Sequence, residues 1–297
     1  MKLSLGPIHY FWPAETVRRF YREVEHWPVD IVYLGETVCA KRRELGLEDW
    51  LAIAARLHAA GKEVVLSTLG LLEAGSELGM LERICANGRH AVEANDMAAV
   101  QLLADAEPFV VGPHVNTYNG ATLTLLARLG ARRWVPPVEL PAAVVRDLQA
   151  ARPAGMETEV LAYGRLPLAV SARCFTARAH DLPKDRCELR CIEYPDGLPL
   201  HTQEDCELFT VNGVQLQSAG AVNLLGHLDE LKEMEVDVLR ISPRLADTGR
   251  VVRTFHEALL GLQPPAAAAG SLACLVPEGW CNGYWHGEAG MVKVSSQ

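Results

Sequence analysis

No run of about 18 apolar residues occurs in this chain of 297 residues, so no membrane-crossing helix is expected. The Ala-rich stretch from Pro264 to Pro277 is too short and carries prolines. At the start, Met-Lys-Leu-Ser-Leu-Gly-Pro has no basic segment followed by an apolar one of about 7–15 residues, which argues against a secretory signal. A cytoplasmic protein with no transmembrane segment is the expectation. Cationic excess is missing as well: 28 Lys+Arg face 37 Asp+Glu, for a net charge of −9. Phosphate-backbone binding needs clustered cations, so no nucleic-acid partner is expected. Also missing are Gly-x-Ser-x-Gly, Gly-x-Gly-x-x-Gly and Gly-x4-Gly-Lys-Ser/Thr, which removes support for serine hydrolysis and nucleotide binding. His256-Glu257-Ala-Leu-Leu260 begins like a zinc-protease helix, but position 260 is Leu rather than the second His.

Apolar residues are plentiful, at 49%, against 22% charged, which excludes disorder for most of the chain. The length suits two average domains or one large α/β barrel of about 250 residues. Strand-like runs at Lys2–Leu5, Asp30–Leu34, Glu63–Leu66, Ala91–Glu93, Phe109–Val111, Arg133–Val135 and Glu157–Leu161 alternate with amphipathic helical patterns. Val17, Phe20, Tyr21 and Val24 line one such face, after Pro13 at a helix start. The rhythm breaks at about 165–205, a loop-rich stretch. It resumes with strands Leu208–Val211 and Val214–Gln217, helix Leu225–Met234, strand Asp237–Ile241 and helix Thr248–Leu260, ended by Gly261. An irregular tail is expected over about 264–297. This βα repetition predicts a single (β/α) barrel domain over 1–297, TIM-like and open to irregularity, with a Cys-rich loop insertion.

Eight cysteines in a reducing compartment point to ligands, catalytic groups or core fillers rather than disulfides. Cys174, Cys187 and Cys191 fall in the break with the spacing Cys-x12-Cys-x3-Cys, and Cys39 follows the strand at Ile31–Gly35. In a barrel that strand end is the C-terminal mouth, where sites assemble. Four thiolates there suit an iron–sulfur cluster or tetrahedral zinc, and incidental thiols remain an alternative. Lys41, Arg42, Arg43, Arg173, Arg178, Lys184, Arg186 and Arg190 outnumber nearby Asp181, Asp185 and Glu188. That excess would lower the thiol pKa values and offset an anionic cluster. Cys85, Cys206, Cys274 and Cys281 are read as small buried hydrophobes.

Polar residues also gather where strands end: Glu36, Thr37, Ser67, Thr68, Glu93, Asn95, His114, Asn116, Asn119, Arg240 and Ser242. Asn95 and Ser242 read as helix caps. His114 and Arg240 are the best candidates for substrate contact. Trp12, Trp280, Tyr284 and Trp285 suit core packing or, if exposed near the tail, an interface between chains.

Several segments resemble ubiquinone-biosynthesis members of the collagenase-like peptidase family U-32. They include Leu3-Ser-Leu-Gly-Pro7, Tyr33-Leu-Gly-Glu-Thr-Val-Cys39-Ala-Lys-Arg-Arg43, Leu66-Ser-Thr-Leu69, Pro137-Val-Glu-Leu140 and Tyr163-Gly-Arg-Leu-Pro-Leu168. The most specific is Ser171-Ala-Arg-Cys174-Phe-Thr-Ala-Arg178 with Pro183-Lys-Asp185, Cys187 and Cys191; Cys281-Asn-Gly-Tyr-Trp285 follows near the end. The resemblance implies a 4Fe–4S cluster held by Cys39, Cys174, Cys187 and Cys191. It further implies a heterodimer with a UbiU-like homologous subunit, helped by a lipid-carrier accessory protein. The system would hydroxylate a quinone precursor without oxygen. The family's peptidase label finds no triad or metalloprotease motif here. Hydroxylation of RNA bases, as in other members of the family, and a zinc-stabilised scaffold without redox chemistry are the competing expectations.

Overall fold

A computed structural model of the chain, describing residues 1–104 and 106–294, closes the strands into a barrel. Its staves are β1 (Lys2–Leu5), β2 (Ile31–Leu34), β3 (Glu63–Ser67), β4 (Ala91–Ala94), β5 (Phe109–Val111), β6 (Ala131–Trp134), β7 (Glu157–Val170) and, late in the chain, β11 (Val238–Ile241). Each pairs in parallel with the next, and β11 pairs with both β7 and β1, which completes an eight-stranded parallel ring. The expected (β/α) barrel is therefore present.

Alternation along the strands explains the two cores. Ile31, Tyr33, Val65, Val110, Val135 and Val238 form one cluster inside the ring. Val32, Leu34, Val64 and Leu66 belong to the larger layer beneath the helices. Those helices are α1 (Ala14–Val24), α2 (Leu47–Ala59), α3 (Gly75–Cys85), α4 (Met97–Leu103), α5 (Gly120–Arg128), α6 (Ala142–Ala150), α7 (Phe175–Ala179), α8 (Leu228–Glu233), α9 (Thr248–Leu259) and α10 (Pro265–Ser271). Helix α1 buries Val17, Phe20, Tyr21 and Val24, the face anticipated from their spacing. Gly261, at φ +74, follows the end of α9.

The stretch from Arg165 departs from expectation. It does not begin as loop, because β7 continues to Val170 and leaves the ring. Its distal half pairs antiparallel with β10 (Gln215–Asn223), which pairs with β9 (Glu207–Asn212) and then β8 (Leu198–His201). Pro167 sits beside a register shift in that pairing, where a missing N–H is tolerated. The partner strand lies about 50 residues downstream, so local periodicity carried no sign of it.

The tail is not irregular throughout either. Pro265 starts α10. Leu272, Val276, Cys281 and Trp285 are buried. The Cys281 N–H donates to the Ala221 carbonyl at 2.9 Å, which ties the tail to β10. The aromatic residues pack against the core. Trp12 and Trp285 are buried, with indole N–H groups donating to the Pro195 carbonyl (2.6 Å) and the Glu230 carboxylate (3.0 Å). Trp280 and Tyr284 are half-buried against the same core. Among the described residues no helix is long and apolar enough to cross a membrane.

Candidate functional site

The C-terminal mouth has a polar lumen below and a cysteine-bearing loop above. In the lumen, Arg240 on β11 sends Nε to Glu159 Oε1 and Nη1 to Glu93 Oε1, each at 2.7 Å. Its guanidinium lies 4.1 Å from the Tyr33 ring centroid, and the Tyr33 hydroxyl donates to the other Glu159 oxygen at 2.5 Å. Ser4 and Ser67 hydroxyls donate to Glu159 and Glu93. Arg133 enters from below, between Glu63, Glu157 and Glu159. Burial in this company pushes Tyr33 well above the usual phenol range, so it stays a protonated donor at neutral pH.

Arg240 Nη2 and His9 Nδ1 are buried without a hydrogen-bond partner among the described residues. Both residues line a cavity of about 30 Å³, with Pro7, Pro113, Arg165 and Ser242. That volume admits a water-sized group rather than a ring. Burial, reinforced by His114, Arg240 and Arg42, depresses His9 to about 3 and keeps it neutral. Burial lowers His114 as well, against the opposing pull of Glu93. Of the two suggested contact residues, Arg240 is committed to two carboxylates with one nitrogen free. The His114 ring packs over Gly70, where an added Cβ would lie 2.9 Å away.

Two residues expected to cap helices do not. Asp96, beside Asn95, caps α4 through Ala98 N–H (2.7 Å), and Asp247 rather than Ser242 precedes α9. The Asn95 amide instead bonds the Thr68 carbonyl and Glu93. Asn119 caps α5 through Thr122 N–H (2.9 Å), while Asn116 is exposed.

Above the lumen, Cys39 follows β2 on a loop pinned by Glu36, whose carboxylate accepts the N–H groups of Val38 (2.8 Å) and Cys39 (3.0 Å). Cys174 precedes α7, and its sulfur accepts the Ala177 N–H at 3.4 Å. Helix α7 is seated on the β9–β10 turn, where Gly213 receives the Phe175 N–H at 2.8 Å and donates its own to Thr176 Oγ1 at 3.0 Å. Cys39, Cys174 and Cys187 surround one small apolar cluster with Val38, Ala177 and Val214. Cys191, on the following 3-10 turn, faces Arg42 and feels Cys174. Between Cys187 and Cys191, Glu188 (φ 51) and Leu189 (φ 54) both occupy the left-handed region, at a cost of order 1–3 kcal/mol each. Among the described residues no three His, Cys, Asp or Glu side chains are gathered closely enough to hold one metal ion.

The basic surround turns out to be mostly structural. Lys41 donates to the Lys184 carbonyl at 2.8 Å, Lys184 to the Ala172 carbonyl and Glu73, and Arg190 pairs with Glu188 and Glu193. Arg173, Arg178 and Arg186 are exposed. Arg42 is the buried cation, fixed by the His9 carbonyl (2.6 Å) and Asn212 Oδ1 (2.7 Å). The predicted lowering of the thiol pKa values does not follow for two of the four. Burial pushes Cys39 up to about 11 and raises Cys191, outweighing Arg42. Of the remaining thiols, Cys281 is buried and Cys85 half-buried, but Cys206 and Cys274 are exposed, contrary to the core-filler reading.

Sequence reasoning missed Tyr33, Glu159, Arg133 and His9. A signal existed for three: parallel-barrel strands are buried on both faces, so polar or charged residues inside β2, β6 and β7 needed a reason.

The profile of peptidase family U32 matches residues 19–271. Among solved structures, the chain is similar to the U32 peptidase Mk0906, at 12% identity and TM-score 0.46, covering 82% of this chain and 93% of that one. It is also similar to the spore cortex-lytic enzyme SleL of Bacillus megaterium, at 10% identity and TM-score 0.43, covering 86% and 73%. Dihydropteroate synthase from Anaplasma phagocytophilum gives 11% identity and TM-score 0.40, covering 87% and 99%.

Proposed function

The chain belongs to peptidase family U32, and from that premise we propose that it is a 4Fe–4S subunit of an oxygen-independent hydroxylation system for ubiquinone biosynthesis, in a role like that of UbiV. Cys39, Cys174, Cys187 and Cys191 would hold the cluster, and a homologous UbiU-like subunit would complete the complex. What carries the reading is that Cys39, Cys174 and Cys187, from two distant segments, border one apolar cluster while Cys191 faces the buried Arg42 guanidinium. Incidental thiols do not call for two successive left-handed residues, Glu188 and Leu189, between Cys187 and Cys191. Structural zinc sites more often use paired Cys-x2–4-Cys knuckles, and only Cys187 with Cys191 approaches one.

When bound, the cluster supplies one-electron transfer. The protein's part is to orient and shield. Val38, Ala177 and Val214 keep water from the sulfurs. Arg42 offsets negative charge at Cys39 and Cys191. Because these thiols are protonated at neutral pH, loading releases protons and weakens as pH falls.

Anaerobic purification with absorption, iron and sulfide analysis tests the reading. A brown protein absorbing near ~400 nm with about four irons is expected. Cys174→Ala, Cys187→Ala and Cys191→Ala lose that iron, and Cys85→Ala keeps it. A colourless protein with one zinc, or wild-type iron in Cys187→Ala, overturns the assignment.

A further inference from the structure

Helix α3 is held loosely. Of its 11 residues only Leu81 is fully buried, whereas α1, of the same length, buries four. The reason is a cavity of about 320 Å³ between α2 and α3, at the C-terminal ends of β2 and β3. Its volume lies in the range of about 300–1,000 Å³ typical of sites for small organic ligands. The mouth cavity beside Arg240 is roughly a tenth as large.

The lining is apolar in depth and cationic at the rim. Leu34, Leu66 and Leu81 form buried walls, and Trp50, Leu72 and Met80 are half-buried around the opening. Two carboxylates are present but already engaged. Glu36 accepts backbone N–H groups of its own loop, and Glu77 accepts those of Glu73 and Ala74 ahead of α3. The two exposed guanidinium groups are not engaged by any carboxylate among the described residues. Arg43 bonds only the Ala40 carbonyl (3.2 Å), and Arg83 contacts the Gly79 carbonyl (3.3 Å) and the Met80 sulfur (3.6 Å).

We propose that this cavity binds an amphipathic carboxylate, with an apolar body between Trp50 and Met80 and its head on Arg43 and Arg83. A planar fork of N–H donors matches a carboxylate in two-point geometry, and an apolar body replaces water against the leucines. The occupant would abut Glu36 and Ala40, in the loop that carries Cys39. The site rests on its own walls and needs no cluster.

Isothermal titration of the purified full-length chain with decanoate tests the proposal. Saturation at one equivalent is expected. 1-Decanol, with the same body and no charge, binds about tenfold more weakly or worse. The Arg43→Ala/Arg83→Ala protein loses affinity for decanoate by a similar factor, and its fold is retained because both side chains are exposed. Met80→Trp fills the opening and abolishes binding. Absence of saturable one-to-one binding overturns the proposal. Equal affinity of decanoate for the wild type and the double variant, or unchanged binding to Met80→Trp, does the same.

Discussion

Arg42 lies in a run of three cations, Lys41-Arg42-Arg43, and each takes a different task. Lys41 latches one loop to another, Arg43 stands at a cavity rim, and Arg42 is buried beside the thiols. The run was visible in the sequence, but its division of labour was not, because which member turns inward is decided by Asn212 and the His9 carbonyl. Replacement by Lys keeps the charge but not the fork that reaches both groups. Arg42→Lys is therefore expected to lose at least about half of the bound iron, while Arg43→Gln stays at wild type; iron analysis of the two proteins decides it. His9 gives a pH prediction. Its pKa falls from the ordinary 6.5 to about 3 in the folded state, so the unfolded chain binds the extra proton first. The corresponding stability is full above about pH 6.5 and drains as pH falls toward 3, by of order 1 kcal/mol per unit. Thermal melts at pH 7.5 and 5.0 should differ in that direction, and His9→Asn should flatten the difference. An unchanged slope in that variant would refute the assignment to His9.

At the scale of elements, Gly35 is where β2 hands the chain to the Cys39 loop. It sits at φ +128, and a Cβ there would lie 2.6 Å from the Ser67 carbonyl oxygen of the neighbouring strand. Both the conformation and the contact demand glycine. Gly35→Ala should cost more than about 1 kcal/mol in urea unfolding and should displace the loop bearing Glu36 and Cys39, with iron loss exceeding what the stability change explains. Helices α1–α6, α8 and α9 were legible from their period and the barrel strands as short apolar runs, whereas α7 and α10 fell in stretches that read as loop. The β8–β10 ribbon was legible only in part. Val214–Gln217 reads as a strand, but its continuation to Asn223 depends on pairing with the outer half of β7. The sequence suggests the four cysteines as a set because three of them lie within 18 residues. The turn that orders Cys187 and Cys191 was not legible, since Glu188 and Leu189 carry no local preference for the left-handed region.

Over the whole molecule, the lumen is the feature that alternation could not supply. Alternation says which side chains face inward; it does not say that Arg240 of the last stave meets Glu93 of the fourth and Glu159 of the seventh. Those pairs form only when β11 closes the ring between β7 and β1. Closure thus brings one cation and two carboxylates out of water together, and the trio behaves as a lock on the closed state. Buried pairs of this type add little over well-packed apolar groups, but loss of one partner is costly, about 3–5 kcal/mol, because a charge is stranded. Arg240→Met strands the Glu93 carboxylate and leaves Glu159 only Arg133, 3.7 Å away, and should be destabilised by about that amount in urea unfolding at pH 7.5. Adding Glu93→Gln and Glu159→Gln to Arg240→Met should recover most of the loss, since no buried charge then lacks a partner in the trio. A triple variant no better than Arg240→Met would mean that Arg240 is not what holds Glu93 and Glu159 in the closed barrel.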